Sequence, residues 1–190
     1  MSLTEGDWSL IPAPADDGKA AHLEGMSLPD VTLPATTGPA VTLSDMDGLV
    51  VFYVYPMTGR PDQDSPDGWD QIPGARGCTP QSCAFRDHFA ELQEWGVEAL
   101  YGVSTQATDY QAEAAERLHL PFPLLSDAGQ ALGKALDLPG IEVEGQHLHK
   151  RLTMIAKDGV IAKVFYPVFP PDQDAENVIA WLRKDAEERA

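Results

Sequence analysis

The stretch Gly77-Cys78-Thr79-Pro80-Gln81-Ser82-Cys83-Ala84-Phe85-Arg86-Asp87 holds the only two cysteines of the chain, with four residues between them. Upstream runs an unbroken apolar segment, Leu49-Val50-Val51-Phe52-Tyr53-Val54-Tyr55, closed by Pro56. Downstream, Phe85, Phe89 and Leu92 recur at i, i+4 and i+7, which is one face of a helix. Cys78 is therefore expected in the loop that delivers a buried strand into a helix, at or just before the helix start. Pro80 agrees, because proline is tolerated in a first turn, where its missing N–H had no partner.

That position has chemical consequences. A helix N-terminus carries partial positive charge and free N–H donors, which favour a thiolate over a thiol. Arg76, two residues before Cys78, acts in the same direction. Cys83 is the natural partner for a second thiol step, but the geometry imposes a condition. Five residues of regular helix rise about 7.5 Å and rotate roughly 140° off the same face. A disulfide wants Cα atoms about 4.4 to 6.8 Å apart. The two cysteines can pair only if the first turn unwinds. The bland alternative, two small buried hydrophobes, fits less well with an electropositive turn that carries both.

The segments Val51-Phe52-Tyr53-Val54-Tyr55-Pro56, Gly77-Cys78-Thr79 to Cys83, and Phe85-Arg86-Asp87 resemble the Q-type peroxiredoxins, the bacterioferritin-comigratory-protein group. The likeness runs from about Leu28 to the C-terminal helix. It implies an α/β, thioredoxin-like fold and reduction of hydroperoxides at Cys78. It further implies an intramolecular disulfide with Cys83, recycled by a thioredoxin-like or glutaredoxin-like reductant, with no cofactor. An arginine at the start of a late strand, matching Arg151, would hold the thiolate and the peroxide. The resemblance implies a monomer, with a dimer as the alternative.

Two positions depart from the family pattern. Its proline seven residues before the reactive cysteine is Gln71 here, and its threonine three residues before is Ala75. Pro56 stands 22 residues ahead of Cys78, so roughly fifteen residues are inserted relative to that pattern. The insert, about Met57 to Ile72, is rich in Asp, Pro and Gly. A hydroxyl to replace the family's threonine is expected from Thr58 or Thr79, with Arg76 as a further substrate-binding candidate.

The remaining chain bounds these readings. A length of 190 residues is most simply one domain of about residues 26–190, preceded by a polar extension, residues 1–25. No apolar run approaches the ~20 residues that span a bilayer, and the N-terminus lacks the pattern of a secretory signal. A cytoplasmic setting is expected, where two cysteines point to redox or catalytic use. A formal net charge of −17 disfavours nucleic acid and anionic membranes as partners.

In chain order, β-branched segments on either side of Thr37-Gly38 predict an N-terminal hairpin. One helix is expected from Cys78 to about Trp95, a strand over Val97–Val103, and a helix over Thr108–Leu118. A strand over Phe122–Leu125 and a helix capped by Ser126-Asp127 follow. Ile141 to His149 reads as a loop or an edge hairpin. Strands Arg151–Ala156 and Val160–Tyr166 flank Lys157-Asp158-Gly159, a hairpin signal. Asp174 is expected to cap a final helix. The pattern gives a mixed central sheet flanked by helices.

Other chemistry is weaker. His147 and His149, with Glu142 and Glu144 close by, form an incomplete ligand set, so no metal is expected. His88 reads as a solvated helix residue, Arg86 as the partner of a carboxylate, and Trp69 as a packing residue or a cover over the site. No nucleotide-binding glycine motif occurs. Two rival readings remain open: a thiol–disulfide oxidoreductase, against which the C-x4-C spacing speaks, and a non-enzymatic redox sensor.

Overall fold

Residues 7–190 are described by the computed structural model, so the first six residues of the expected extension lie outside the description. The segments around Gly38 pair antiparallel as β1 (Thr32–Leu33) and β2 (Val41–Thr42), with Thr32 opposite Thr42. The apolar stretch becomes β3 (Leu49–Val54). Its side chains alternate between two cores. Val50, Phe52 and Val54 enter one, while Val51 and Tyr53, followed by Tyr55, enter the other. A strand buried on both faces needs an apolar residue at every position, which is why no polar alternation is visible there.

The expected long helix is two: α1 (Cys78–Asp87) and α2 (Phe89–Glu94). The break falls at His88, whose ring Nδ1–H donates to the Ala84 carbonyl at 2.9 Å, the same carbonyl that accepts the His88 backbone N–H at 3.0 Å. This local bond competes with continuation of the helix, and His88 is part-buried at the junction.

The strand β4 (Val97–Ser104) and the helix α3 (Thr108–Arg117) follow, then β5 (Leu124–Ser126) and α4 (Ala131–Leu136). Asp127 caps α4 from outside it. Its two carboxylate oxygens accept from Leu132 N and Gly133 N, each at 2.9 Å. The ambiguous segment is a hairpin, β6 (Gly140–Val143) with β7 (Gln146–His149), turning through Glu144 and Gly145, both at positive φ. The second predicted hairpin is β8 (Leu152–Lys157) with β9 (Val160–Phe165), and α5 (Asp174–Arg189) ends the chain.

The central sheet has the order β5-β4-β3-β8-β9. β3, β4 and β5 run parallel, while β8 lies antiparallel to both β3 and β9. One face carries Phe85 and Leu92 from α1 and α2, with Val178, Ile179 and Leu182 from α5. The other carries Leu132 and Leu136 from α4 together with Leu33 and Leu43.

The N-terminal segment is not an appendage throughout. Ala20 and Leu23 are buried in that second core, and Gly25 N bonds Ile161 O at 2.8 Å. Its small and polar composition hid two apolar residues that meet the sheet only in three dimensions. Among the described residues, no helix is long and apolar enough to cross a membrane.

Phe85 anchors α1, fully buried with its ring stacked on Tyr53 at a centroid distance of 4.6 Å. Phe85→Ala is expected to lower the unfolding free energy by about 3–5 kcal/mol, from lost transfer energy plus a cavity. Urea denaturation checks this, and a loss below about 1 kcal/mol would show that other contacts hold the helix.

Candidate active site

Two strands bring the site together. β3 runs out through Pro56 into the inserted loop, which returns at Gly77 to start α1. β8 pairs with β3 so that Leu152 lies opposite Val54. The residue before Leu152 is therefore delivered to the end of the sheet where α1 begins. That residue is Arg151.

Cys78 is the first residue of α1 and is buried, at 3 % exposure. Gly77 precedes it at φ +113°, a conformation closed to most side chains. A Cβ at Gly77 would fall 2.2 Å from Cγ of Pro171, so the helix start can approach the C-terminal segment only through a glycine. Arg151 Nη2 donates to Cys78 Sγ at 3.2 Å. The same nitrogen lies 3.3, 3.0 and 3.2 Å from the carbonyl oxygens of Gly74, Ala75 and Arg76. Cys78 Sγ is also 3.6 Å from the Ala75 carbonyl, which would accept from the thiol form. The sulfur thus faces a cation and a helix N-terminus, both complementary to negative charge.

Arg151 is itself braced from behind. Its Nη1 donates to Oε1 of Gln81, and Gln81 Nε2 donates to Asp174 Oδ2 at 2.7 Å. Thr153 Oγ1 donates to the same oxygen at 2.6 Å. Burial pushes the Asp174 carboxyl up to about 6, against the pull of the Thr153 and Gln81 hydrogen bonds and the Arg151 charge. Asp174 therefore does not cap α5 as its sequence position suggested. It has helical backbone angles inside the first turn, no side chain caps that end, and its carboxyl turns into the interior.

A cleft of about 730 Å³ opens over Cys78 and is bordered by Trp8, Met57, Trp69, Arg76, Thr79 and Cys83. Trp69, the packing or covering residue of the insert, does both, since it is buried among Val143, Leu148 and Ala75 while bordering the cleft. Arg76 forms an ion pair with Asp70 at 2.6 Å on the rim. Thr79 borders the cleft, one residue beyond the sulfur. Thr58, the other hydroxyl candidate, is engaged elsewhere. It is buried, its hydroxyl donates to Gln106 Oε1 at 3.3 Å, and its backbone N–H bonds the same oxygen at 3.0 Å. The carbonyl of Thr58 is held by Gln106 and Tyr110.

Cys83 lies on α1 with intermediate exposure, and both cysteines are free thiols. Burial raises the Cys83 thiol pKa, opposed by the charge of Arg86. Arg86 pairs with Asp87 at 2.9 Å and bonds the Leu118 carbonyl at 2.8 Å. His147 and His149 are each engaged by a carboxylate. His147 bonds Glu142 at 2.6 Å, while the buried His149 donates to Asp127 at 2.8 Å, and no cluster among the described residues could hold a metal.

The sequence marks neither Gln81 nor Thr153 for the site, and it assigns Asp174 to a helix cap instead. Gln81 follows Cys78 by three residues on one helical face, and Thr153 follows Arg151 by two on one strand face, so spacing alone could have drawn both toward the site. Nothing in the sequence connects Asp174 to either.

The redoxin family model matches residues 23–179. The chloroplastic peroxiredoxin Q of Sedum lineare is 30% identical over 161 residues, covering 84% of this chain and 77% of the relative. The chloroplastic peroxiredoxin Q of Arabidopsis thaliana is 29% identical over 161 residues, covering 84% and 67%. Among solved structures, the peroxidoxin BcpB of Mycobacterium tuberculosis superposes with a TM-score of 0.69 at 29% identity, covering 86% of this chain and 98% of that one. The Xanthomonas campestris peroxiredoxin Q superposes at 0.65 with 24% identity, covering 87% and 98%, which speaks for the fold alone. By sequence and by architecture, the chain belongs to the redoxin family and, within it, to the Q-type peroxiredoxins, thiol peroxidases on a thioredoxin-like fold.

Proposed function

We propose that this chain reduces hydroperoxides in an atypical two-cysteine cycle, with Cys78 as attacker and Cys83 as resolver. The observation that supports it most directly is the Arg151 guanidinium, 3.2 Å from Cys78 Sγ at the start of α1. In the first step the Cys78 thiolate attacks one oxygen of the peroxide. The S–O bond forms as the O–O bond breaks, and the departing oxygen takes a proton to leave as water or an alcohol. Arg151 faces both the sulfur and the charge that develops on the splitting bond. Of the polar side chains on the cleft wall, Thr79 and Arg76 adjoin Cys78 in sequence and are assigned to bind the peroxide where the family pattern has a threonine at the Ala75 position.

In the second step the Cys83 sulfur attacks the Cys78 sulfenic acid, releasing water and leaving a disulfide. With α1 intact the two are separated by more than a helical turn, so this step requires the first turn to open. A dithiol protein of the thioredoxin or glutaredoxin type then restores both thiols by exchange.

Intact-mass analysis after one equivalent of hydrogen peroxide tests the assignment. The wild type should lose two hydrogens, Cys83→Ser should gain oxygen at Cys78, and Cys78→Ser should do neither. Equal peroxide consumption by wild type and Cys78→Ser would sink the mechanism.

Arg151→Ala should slow the oxidation of Cys78 by about a hundredfold or more, the scale of one lost transition-state donor. Reduction of the preformed disulfide by a thioredoxin should change far less. Stopped-flow measurement of the two half-reactions separates them, and equal slowing of both would remove Arg151 from the peroxide step.

A further inference from the structure

The mechanism above leaves unused a buried carboxylate behind the reacting sulfur. Asp174 is 1 % exposed. Its Oδ2 accepts from Gln81 and Thr153, while Oδ1 has no hydrogen-bond partner among the described residues. A buried carboxylate with one unsatisfied oxygen is costly to retain where an apolar residue would pack without penalty. The cost calls for a reason, and the chemistry of Gln81 supplies one.

A glutamine amide has one end that accepts and one end that donates, and the two ends are nearly the same shape. A guanidinium offers donors only. Gln81 therefore supports Arg151 in just one of its two orientations, with Oε1 toward the guanidinium. The opposite orientation would set an NH2 group against it. What selects between them is the group at the other end of the amide, and there stands Asp174 Oδ2, 2.7 Å from Nε2. Arg151 Nη1 takes the Gln81 oxygen while Nη2 faces Cys78 Sγ, so the orientation of the amide bears on the position of the cation at the sulfur.

We propose that Asp174, from the first turn of the C-terminal helix, is a positioning residue of the peroxidase site that fixes the orientation of Gln81 and, through it, the guanidinium of Arg151. This rests on the assignment of Cys78 and Arg151 made above. Asp174 does not touch the reacting atoms; it acts through two intermediaries. Thr153, two residues after Arg151 on β8, holds the other side of the same oxygen and keeps the carboxylate aimed at Gln81. The raised pKa of Asp174 fits a carboxylate retained in spite of its burial.

The amide logic yields a test that a packing role cannot imitate. A glutamate at position 81 accepts at both ends, so it needs nothing to orient it. In the Cys83→Ser background, the rate of Cys78 oxidation by hydrogen peroxide is measured at pH 8, where carboxylates are ionised, for Asp174→Ala, Gln81→Glu and the double variant. Asp174→Ala should be slower by about tenfold, the scale of one buried hydrogen bond. Gln81→Glu alone should also be slow, because it sets two carboxylates against each other. The double variant Gln81→Glu/Asp174→Ala should recover rate above either single variant.

If Gln81→Glu does not raise the rate of Asp174→Ala, the positioning role is overturned and Asp174 only packs. If Asp174→Ala fails to fold, Asp174→Asn against Gln81→Glu/Asp174→Asn carries the same comparison. The double variant must then be faster, and a slower one overturns the proposal. The parent protein controls for the reading it depends on. Failure of Cys78 itself to oxidise would indict the peroxidase assignment, whereas normal oxidation without rescue by Gln81→Glu would indict Asp174 alone.

Discussion

One guanidinium ties this site together. Arg151, 3 % exposed, reaches from the start of β8 to three consecutive carbonyls of the loop before α1, to Gln81 within α1, and to the sulfur of Cys78. The group must present several coplanar donors and remain charged when buried. Arginine does both, while lysine offers a single flexible ammonium whose pKa shifts readily on burial. Its position follows from sheet order. Because β8 lies beside β3, the chain entering β8 and the chain leaving β3 meet at one end of the sheet. The cysteine comes from the path after β3 and the arginine from the path into β8. Neither reaches the other through local sequence.

Magnitudes decide which contacts hold the inserted loop against this centre. The Asp70–Arg76 ion pair is short but partly exposed on both sides, and pairs of that kind contribute about 0–1 kcal/mol. Trp69 is buried against Val143 and Leu148 of the β6–β7 hairpin, with Met57, Ile72 and Ile141 around it. Burying an aromatic of that size contributes a few kcal/mol. The insert is thus fastened by its tryptophan, and the ion pair at most orients Arg76 on the rim. Two segments outside the sheet, the insert and the N-terminal chain bearing Trp8, supply much of the cleft wall.

What could be read from the sequence was whatever local pattern encodes. Cys78 at a helix start followed from an apolar strand, a glycine-cysteine turn and the i, i+4, i+7 face of Phe85, Phe89 and Leu92. The glycine and aspartate turns announced the hairpins. Arg151 came from resemblance alone, because nothing local marks a buried arginine. The failures share a cause. His88 breaks a helix through a bond of its ring to Ala84 that competes with the backbone ladder, and periodicity is blind to it. Asp174 has the spacing of a cap, yet Thr153 and Gln81 offer it donors that only the folded chain brings near. Thr58 was a candidate by chemistry, but Gln106 and Tyr110 hold it from α3 and the loop before it. Sequence reports what a residue can do; the partners that decide what it does come from the fold.

Arg151 and Gln81 also bear on how the cysteines could meet. Opening the first turn of α1 breaks the Gln81 bonds to Asp174 and Arg151 and frees Ser82, which receives the Tyr53 hydroxyl at 3.0 Å. At about 1 kcal/mol net for a neutral bond and somewhat more for a charged one, these bonds alone put the open turn a few kcal/mol above the closed one. That is a minor but accessible state, in the range where local opening occurs without global unfolding. Phe85, stacked on Tyr53 just beyond Cys83, remains as the stop that confines the opening to one turn. Once Gln81 withdraws, Asp174 loses a donor while its Oδ1 is already without one among the described residues, and a carboxyl raised to about 6 by burial becomes harder still to keep ionised. On the proposed cycle, the Gln81 bonds that brace Arg151 for the first step are therefore among those that must break for the second. A site rigid enough to attack peroxide and loose enough to close a disulfide can meet both demands only if the lock consists of a few hydrogen bonds, with the hydrophobic anchor placed outside it.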